Sequence, residues 1–168
     1  MRLTVHQEFP APPDVLWSVF SDREYPGAKY RALGATRFEM PRFTATDDEI
    51  CVDLSRTIPV DLAKIPGFAR KLVGDEQTMR HETRWRRSAG AITATLVITP
   101  VGRPVKIGGT ASVSAEGDGA RLTFELEVTS DVPLIGGKIA QIFADQVQAA
   151  LAADHAFTRR YLAEKRAG

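Results

Sequence analysis

The fold is decided by residues 134–165, which read LIGGKIAQIFADQVQAALAADHAFTRRYLAEK. This segment contains no proline, and its apolar side chains recur at steps of three and four residues: Ile139, Ile142, Phe143, Val147, Ala150, Leu151, Phe157, Tyr161 and Leu162. Such spacing predicts a helix with one broad apolar stripe. About thirty helical residues span roughly 45 Å, the width of a small domain. We therefore expect a long terminal helix that rests on a large apolar surface and leaves a gap beside it.

The residues before this helix predict the surface on which it rests. Apolar and polar side chains alternate along seven segments, which is typical of half-buried strands: 2–9, 35–43, 49–57, 77–86, 91–99, 105–115 and 121–129. Short, turn-forming breaks between consecutive segments indicate antiparallel hairpins. Two short helices are expected after the first strand, and residues 58–74 are expected to form a loop with a short amphipathic helix.

Length and composition limit the possible functions. A chain of 168 residues is expected to form one domain, 1–168, with a core that needs no disulfide. The formal net charge of +1 gives no electrostatic reason to expect a nucleic-acid partner. The single cysteine and the absence of zinc-ligand spacing predict no metal and no cofactor. The first residues are not those of a signal peptide and no segment is long and apolar enough to span a membrane, so we expect a cytoplasmic protein.

The strand at 77–86 carries the most informative candidate residue. Met79, His81 and Trp85 share one face of this strand, and charged side chains occupy the other. An inward histidine could orient a ligand oxygen or act as a general acid or base. The alternative is a core histidine that is satisfied by a backbone carbonyl or a neighbouring side chain.

Two charged residues fall on faces that the pattern places in the interior. Arg56 continues the apolar face of the strand at 49–57, and a buried guanidinium requires a partner. It could reach water at the strand end or anchor a polar ligand group. Asp154 lies within the apolar arc of the long helix, with Gln146 at its edge. Asp154 is expected to form an ion pair with His81 or Arg56, or an acid/base dyad in a pocket.

The segment 58–74 has an apolar face and three cations, Lys64, Arg70 and Lys71. It could cover the entrance of a cavity and make transient contact with an anionic membrane surface. Alternatively, it is a helix that packs permanently on the edge of the sheet.

The order of elements resembles the helix-grip fold of the START-like (SRPBCC) superfamily, which includes pathogenesis-related allergens, lipid-transfer START domains and polyketide cyclases. The local likeness is carried by Ala11-Pro12-Pro13-Asp14-Val15-Leu16-Trp17, which leads to Ser21-Asp22. Residues 25–34 and 136–158 look like a bacterial branch of unknown function. The resemblance implies an α+β fold in which a curved, seven-stranded antiparallel sheet wraps around the long C-terminal helix. It implies no particular reaction.

These observations predict a protein that binds or carries a small hydrophobic molecule (a lipid, isoprenoid or polyketide-like compound) between the sheet and the last helix. The expected ligand-binding residues are Phe38, Met40, Arg56, Met79, His81, Trp85, Phe143, Gln146, Asp154 and Phe157. We expect binding rather than catalysis. The alternatives are an enzyme of the polyketide cyclase or dehydratase type, with His81 and Asp154 as catalytic residues, and a co-chaperone-like module whose cavity is filled by its own side chains.

Overall fold

The computed structural model describes residues 1–167, so Gly168, the last residue of the predicted domain, lies outside the described residues. Within that range there are seven strands: β1 (Arg2–Phe9), β2 (Arg37–Ala45), β3 (Glu49–Pro59), β4 (Glu76–Ser88), β5 (Ala91–Pro100), β6 (Lys106–Glu116) and β7 (Gly119–Thr129). The same range contains four α-helices: α1 (Pro13–Phe20), α2 (Glu24–Ala32), α3 (Arg70–Val73) and α4 (Gly136–Ala167). Each predicted strand is present, with ends shifted by up to two residues.

The seven strands form one antiparallel sheet in the order β1-β7-β6-β5-β4-β3-β2. Strands β2 to β7 follow one another as hairpins, because the breaks between most of them are too short for a parallel crossover. Strand β1 pairs with β7, so the first and last strands of the chain lie side by side. The sheet is curved and α4 packs against it. The predicted α+β helix-grip architecture is therefore confirmed.

The first half of α4 packs into the hydrophobic core. Ile139, Phe143 and Ala144 are completely buried, and Val147 is 6% exposed. These positions follow steps of three and four residues, as the periodicity of the sequence predicts. Burial of such side chains contributes roughly 1.5–3 kcal/mol each to the stability of the fold. This contact fixes the position of α4 on the sheet.

Residues 58–74 are less helical than the sequence predicts. They form two short 3-10 turns, Leu62–Lys64 and Gly67–Ala69, followed by the single turn of α3. Ile65, Ala69 and Val73 are buried, whereas Phe68 is 52% exposed. Most of the predicted apolar face is thus packed against the core. Among residues 1–167, no helix combines the length and the apolarity needed to cross a membrane.

Candidate ligand-binding site

A partly open cavity of about 140 Å³ lies between the sheet, α2 and the second half of α4. Strands β1, β3, β4, β5 and β7 supply its floor, and none of the side chains that line it is exposed. Its walls are formed by Gln7, Phe9, Phe20, Tyr25, Pro26, Lys29, Tyr30, Val52, Leu54, His81, Thr83, Trp85, Leu96, Ile98, Leu122, Phe124, Leu151, Asp154 and Thr158. Most of this surface is apolar, and the charged groups come from α2 and α4.

The apolar part of the cavity is built by the inward faces of the strands. Val52 and Leu54 stand two residues apart on β3, and Thr83 and Trp85 do so on β4, because alternate strand residues share a face. The indole ring of Trp85 stacks on Phe20 from α1, with ring centroids 4.9 Å apart. This stacked pair gives the apolar part a rigid aromatic wall.

The polar end of the cavity is dominated by an ion pair between α2 and α4. Lys29 Nζ lies 3.3 Å from Asp154 Oδ2, and the two side chains are 13% and 20% exposed. The ammonium group also lies over the rings of Tyr30, at 4.6 Å, and Tyr25, at 5.1 Å. Burial by itself would lower the pKa of Lys29, but the charge of Asp154 and the neighbouring tyrosine hydroxyls outweigh it and raise that pKa. Lys29 is therefore a permanent cation within the site.

His81 is held by a second cation. Arg56 Nε donates a hydrogen bond of 3.2 Å to His81 Nε2. Since Nε2 accepts, the neutral imidazole carries its proton on Nδ1. Burial, together with the charges of Arg56 and Lys29, lowers the pKa of His81 well below its ordinary value. His81 thus faces the cavity as a neutral donor at physiological pH.

Arg56 lies behind His81, outside the cavity wall. Its side chain is buried, with 8% exposure, and its guanidinium lies 4.7 Å from the centre of the Tyr30 ring. Among residues 1–167, no carboxylate lies within 4 Å of this guanidinium. Arg56 therefore contacts a neutral imidazole and the face of an aromatic ring, and neither of them balances its positive charge.

A chain of hydroxyl groups connects α2 to α4 beside this ion pair. Thr158 Oγ1 donates to the carbonyl of Asp154 at 2.8 Å, so the Tyr25 hydroxyl donates to Thr158 Oγ1 across 2.5 Å. Burial raises the pKa of Tyr25, with a further contribution from Asp154. On the other side, Gln7 Nε2 donates to the carbonyl of Leu151. These bonds hold the second half of α4 at a fixed distance from α2 and β1.

The residues that the sequence predicts as ligand contacts fall into three groups. His81, Trp85 and Asp154 line the cavity. Arg56, Phe38 and Phe157 lie one layer behind it, where Phe38 packs on Tyr30 and Phe157 on Tyr25. The remaining four do not line the cavity: Met79 and Phe143 are buried in the core, Met40 is half-buried at the bulge of β2, and Gln146 is half-buried on α4 with its side-chain oxygen lacking a hydrogen-bond partner.

The expected partner of Asp154 needs correction. The structure pairs Asp154 with Lys29, whereas the sequence pattern indicates His81 or Arg56 as its partner. Arg56 does not line the cavity, and its Nε donates a hydrogen bond to His81. Sequence reasoning missed Lys29 altogether. The available signal was its spacing, since Lys29 follows Tyr25 and Pro26 by four and three residues and shares their helical face.

Residues 58–74 do not cover this cavity, since none of them lines it. Phe68 lies instead near the start of α4, where Lys138 Nζ is 5.9 Å from its ring. Within the described part of the chain there is also no group of three or more His, Cys, Asp or Glu side chains that could hold a metal ion.

The family model described as "Protein of unknown function (DUF2505)" matches residues 4–162. An uncharacterized protein of Mycobacterium tuberculosis, Rv0481c, is 28% identical over 101 residues, and an uncharacterized protein of Mycobacterium bovis, Mb0491c, matches equally. Each match covers 58% of this chain and 58% of the relative. The chain thus spans 58% of the length of the curated relatives that it matches.

Several solved structures are similar over nearly the whole chain. The protein TTHA0849 from Thermus thermophilus has a TM-score of 0.65 at 13% identity, with 98% of this chain and 99% of that chain covered. The ZhuI aromatase/cyclase from Streptomyces sp. R1128 has a TM-score of 0.61 at 14% identity, with coverage of 100% and 96%. A STAR-related lipid transfer protein from Xanthomonas axonopodis has a TM-score of 0.58 at 15% identity, with coverage of 94% and 85%. These likenesses establish the START-like fold, and the predicted resemblance is confirmed.

Proposed function

Since the chain belongs to the family described as "Protein of unknown function (DUF2505)", we propose a function from its cavity: the protein binds and carries a small hydrophobic molecule between the sheet and the second half of α4. One observation carries this proposal, namely a mainly apolar cavity, partly open to solvent, with polar groups gathered at one end. Binding sites for small molecules commonly combine apolar walls with a few polar groups that fix orientation. Burial of the ligand would contribute roughly 25 cal/mol per Å² of apolar surface.

The size of the cavity favours a compact ligand. Its volume of about 140 Å³ is close to the roughly 150 Å³ of an apolar cavity that accepts benzene. It is smaller than the roughly 300–1,000 Å³ of sites for drug-sized molecules. We therefore infer a ligand of about one ring rather than a whole lipid, isoprenoid or polyketide chain.

Two kinds of support accompany the cavity. The similar structures include proteins named as a lipid transfer protein and as an aromatase/cyclase, which favours a small-molecule cavity in this fold. The space between sheet and helix is also not filled by side chains, which favours binding over a co-chaperone-like module. Catalysis by His81 and Asp154 lacks comparable support, because Asp154 is paired with Lys29 and His81 Nε2 with Arg56.

Contact with a membrane surface through residues 58–74 stays a separate prediction. Phe68 is 52% exposed and Lys64 and Lys71 are exposed beside it in the sequence. Such a surface favours anionic lipids, by about 1 kcal/mol for each cation near the bilayer. Cosedimentation with phosphatidylserine vesicles tests it, and Phe68→Ser should reduce the bound fraction. Equal binding of the variant would remove this prediction.

The proposed function is tested with 4-fluorotoluene, a single-ring apolar compound that ¹⁹F NMR detects directly. We expect saturable binding to the wild-type protein. Leu96→Phe places a larger side chain in the cavity and should abolish this binding. The matched control is Val97→Phe, at the neighbouring residue on the opposite face of β5, where Val97 is 48% exposed. No binding to the wild type, or equal binding to the Leu96→Phe variant, would contradict the proposal.

A further inference from the structure

The polar end of the cavity carries one positive charge more than it can balance. We define the charged cluster as Lys29, Asp154, Arg56 and His81. Lys29 is neutralised by Asp154 at 3.3 Å, and His81 is neutral because its Nε2 accepts from Arg56. Arg56 has no carboxylate within 4 Å among the residues that the structure describes. A positive charge without a counter-charge beside a mainly apolar cavity favours a bound anion, because opposite charges attract more strongly where little water separates them.

The other groups around the cluster do not supply that anion. Tyr25 and Tyr30 face Lys29 from α2, and Thr158 faces it from α4. The hydroxyl of Tyr25 donates to Thr158, and burial raises its pKa, so it stays protonated. The ring of Tyr30 lies within 5 Å of both Lys29 and Arg56 and contributes only the negative face of its π-system. Neither tyrosine removes the net charge.

Two hydrogen-bond donors remain available where the cluster meets the cavity. His81 carries its proton on Nδ1, and no partner for that nitrogen is present among residues 1–167. The Lys29 ammonium has three N–H groups, of which Asp154 accepts one. Both side chains line the cavity. An oxygen of a bound molecule could accept a hydrogen bond from each of these donors. The bonds would be charge-assisted, and therefore stronger, if that oxygen were anionic.

We propose that the molecule bound in the cavity is a compact ring compound with one acidic hydroxyl group, and that it binds as the anion. Its oxygen accepts from His81 Nδ1 and Lys29 Nζ, while its ring lies against Trp85 and Leu96. Arg56 acts as a positioning residue: it holds the tautomer of His81 and supplies the unbalanced charge. The hydroxyl proton leaves to solvent on binding, and no covalent bond of the ligand changes otherwise. This inference rests on the proposed function.

The test compares 4-fluorophenol with 4-fluorotoluene, which have nearly the same size and differ in the hydroxyl group. An opposite charge within about 4–6 Å shifts an acid's pKa by about 1–3 units, and a hydrogen bond from the Lys29 ammonium would bring the ligand oxygen within that range. Phenolate should therefore bind about 100-fold more tightly than neutral phenol. The ¹⁹F shift of 4-fluorophenol reports its ionisation. We expect the bound molecule to show the phenolate shift at a pH about 2 units below that required in free solution.

Variants of Arg56 separate positioning from structure. Arg56→Met removes the unbalanced charge and should abolish the preference for phenolate while 4-fluorotoluene still binds. Arg56→Lys keeps the charge and should retain much of that preference. Arg84→Met is the control, because Arg84 is a strand arginine paired with Asp53 and does not line the cavity. Binding of 4-fluorotoluene to each variant shows that the cavity has formed.

Three outcomes are distinguishable. Phenolate binding that depends on Arg56 supports the inference. Equal affinity for the two compounds, with 4-fluorophenol bound in its neutral form, overturns the inference and leaves the proposed function standing. Failure of 4-fluorotoluene to bind the wild-type protein contradicts the proposed function, and the inference, which rests on that function, falls with it.

Discussion

The two halves of α4 belong to one continuous helix but meet the sheet in different ways. In residues 136–150 the inward side chains are Ile139, Phe143 and Val147, which are buried in the core and do not line the cavity. In residues 151–167 the inward positions include Leu151, Asp154 and Thr158, and these line the cavity. Helical periodicity is the same in both halves. The difference shows what decides whether a helix leaves a cavity above a sheet: the size and charge of its inward-facing residues, together with the helix α2 that covers them.

The largest contrast is expected when the same number of carbon atoms is removed from each half. Ile139→Ala creates a new cavity at a completely buried site and should lower the free energy of unfolding by about 4 kcal/mol. Leu151→Ala enlarges an existing cavity beside a half-buried side chain and should cost about 2 kcal/mol or less. Urea unfolding of the two variants measures this difference. Equal losses would mean that the halves are packed alike.

A smaller effect is expected from the ion pair that only the second half of α4 contains. Lys29→Met leaves the carboxylate of Asp154 without its partner and should cost about 3 kcal/mol. The double variant Lys29→Met/Asp154→Leu removes both charges and should be more stable than the sum of the single losses predicts, by about 1–3 kcal/mol. A double-mutant cycle in urea measures this coupling. Strictly additive losses would show that the pair does not interact.

Enlarging a side chain should destabilise the protein in the first half of α4 but have little effect in the second half. Val147→Phe introduces extra volume into the packed half and should destabilise the protein by about 1–3 kcal/mol. Leu151→Phe, one turn later, extends into the cavity and should leave the stability within about 0.5 kcal/mol. Thermal unfolding compares the two variants. If Leu151→Phe is the more damaging change, the cavity does not have the space that we describe.

The smallest predicted effect is on the dependence of stability on pH. Unfolded His81 binds a proton near pH 6.5, whereas folded His81 binds it only at lower pH, because burial and the charges of Arg56 and Lys29 lower its pKa. The contribution of His81 is therefore complete above pH 6.5 and is lost as the pH falls below it, by about 1.4 kcal/mol per pH unit. His81→Gln should have a flatter profile from pH 6.5 to 5.5. His6 and His155 are present in both proteins, so parallel profiles would contradict the assignment to His81.

Much of the fold follows from sequence periodicity. The alternation of apolar residues predicts the seven strands, and the spacing of apolar residues at 134–165 predicts α4 and its buried face. The pattern also indicates correctly that His81 and Asp154 face the interior. These features depend on local geometry, because strand alternation and the helical repeat fix the face on which a residue lies.

The degree of burial of a side chain and the identity of its interaction partner are harder to predict from the sequence. Phe143 and Asp154 share the stripe of α4, yet one is completely buried and the other lines the cavity. Their difference depends on the side chains that α2 and five separate strands bring to each place. The partner of Asp154 was missed for the same reason, since Lys29 is 125 residues away along the chain. No spacing rule relates positions so far apart.

The central claim is that the second half of α4 lies over a cavity, whereas the first half packs directly on the sheet. A crystal of the protein pressurised with xenon tests it most directly, because xenon enters apolar cavities and scatters strongly. We expect xenon density among Leu54, Trp85 and Leu96, and none around Phe143. An empty or collapsed site beside Trp85, or xenon bound against Phe143, would contradict the account.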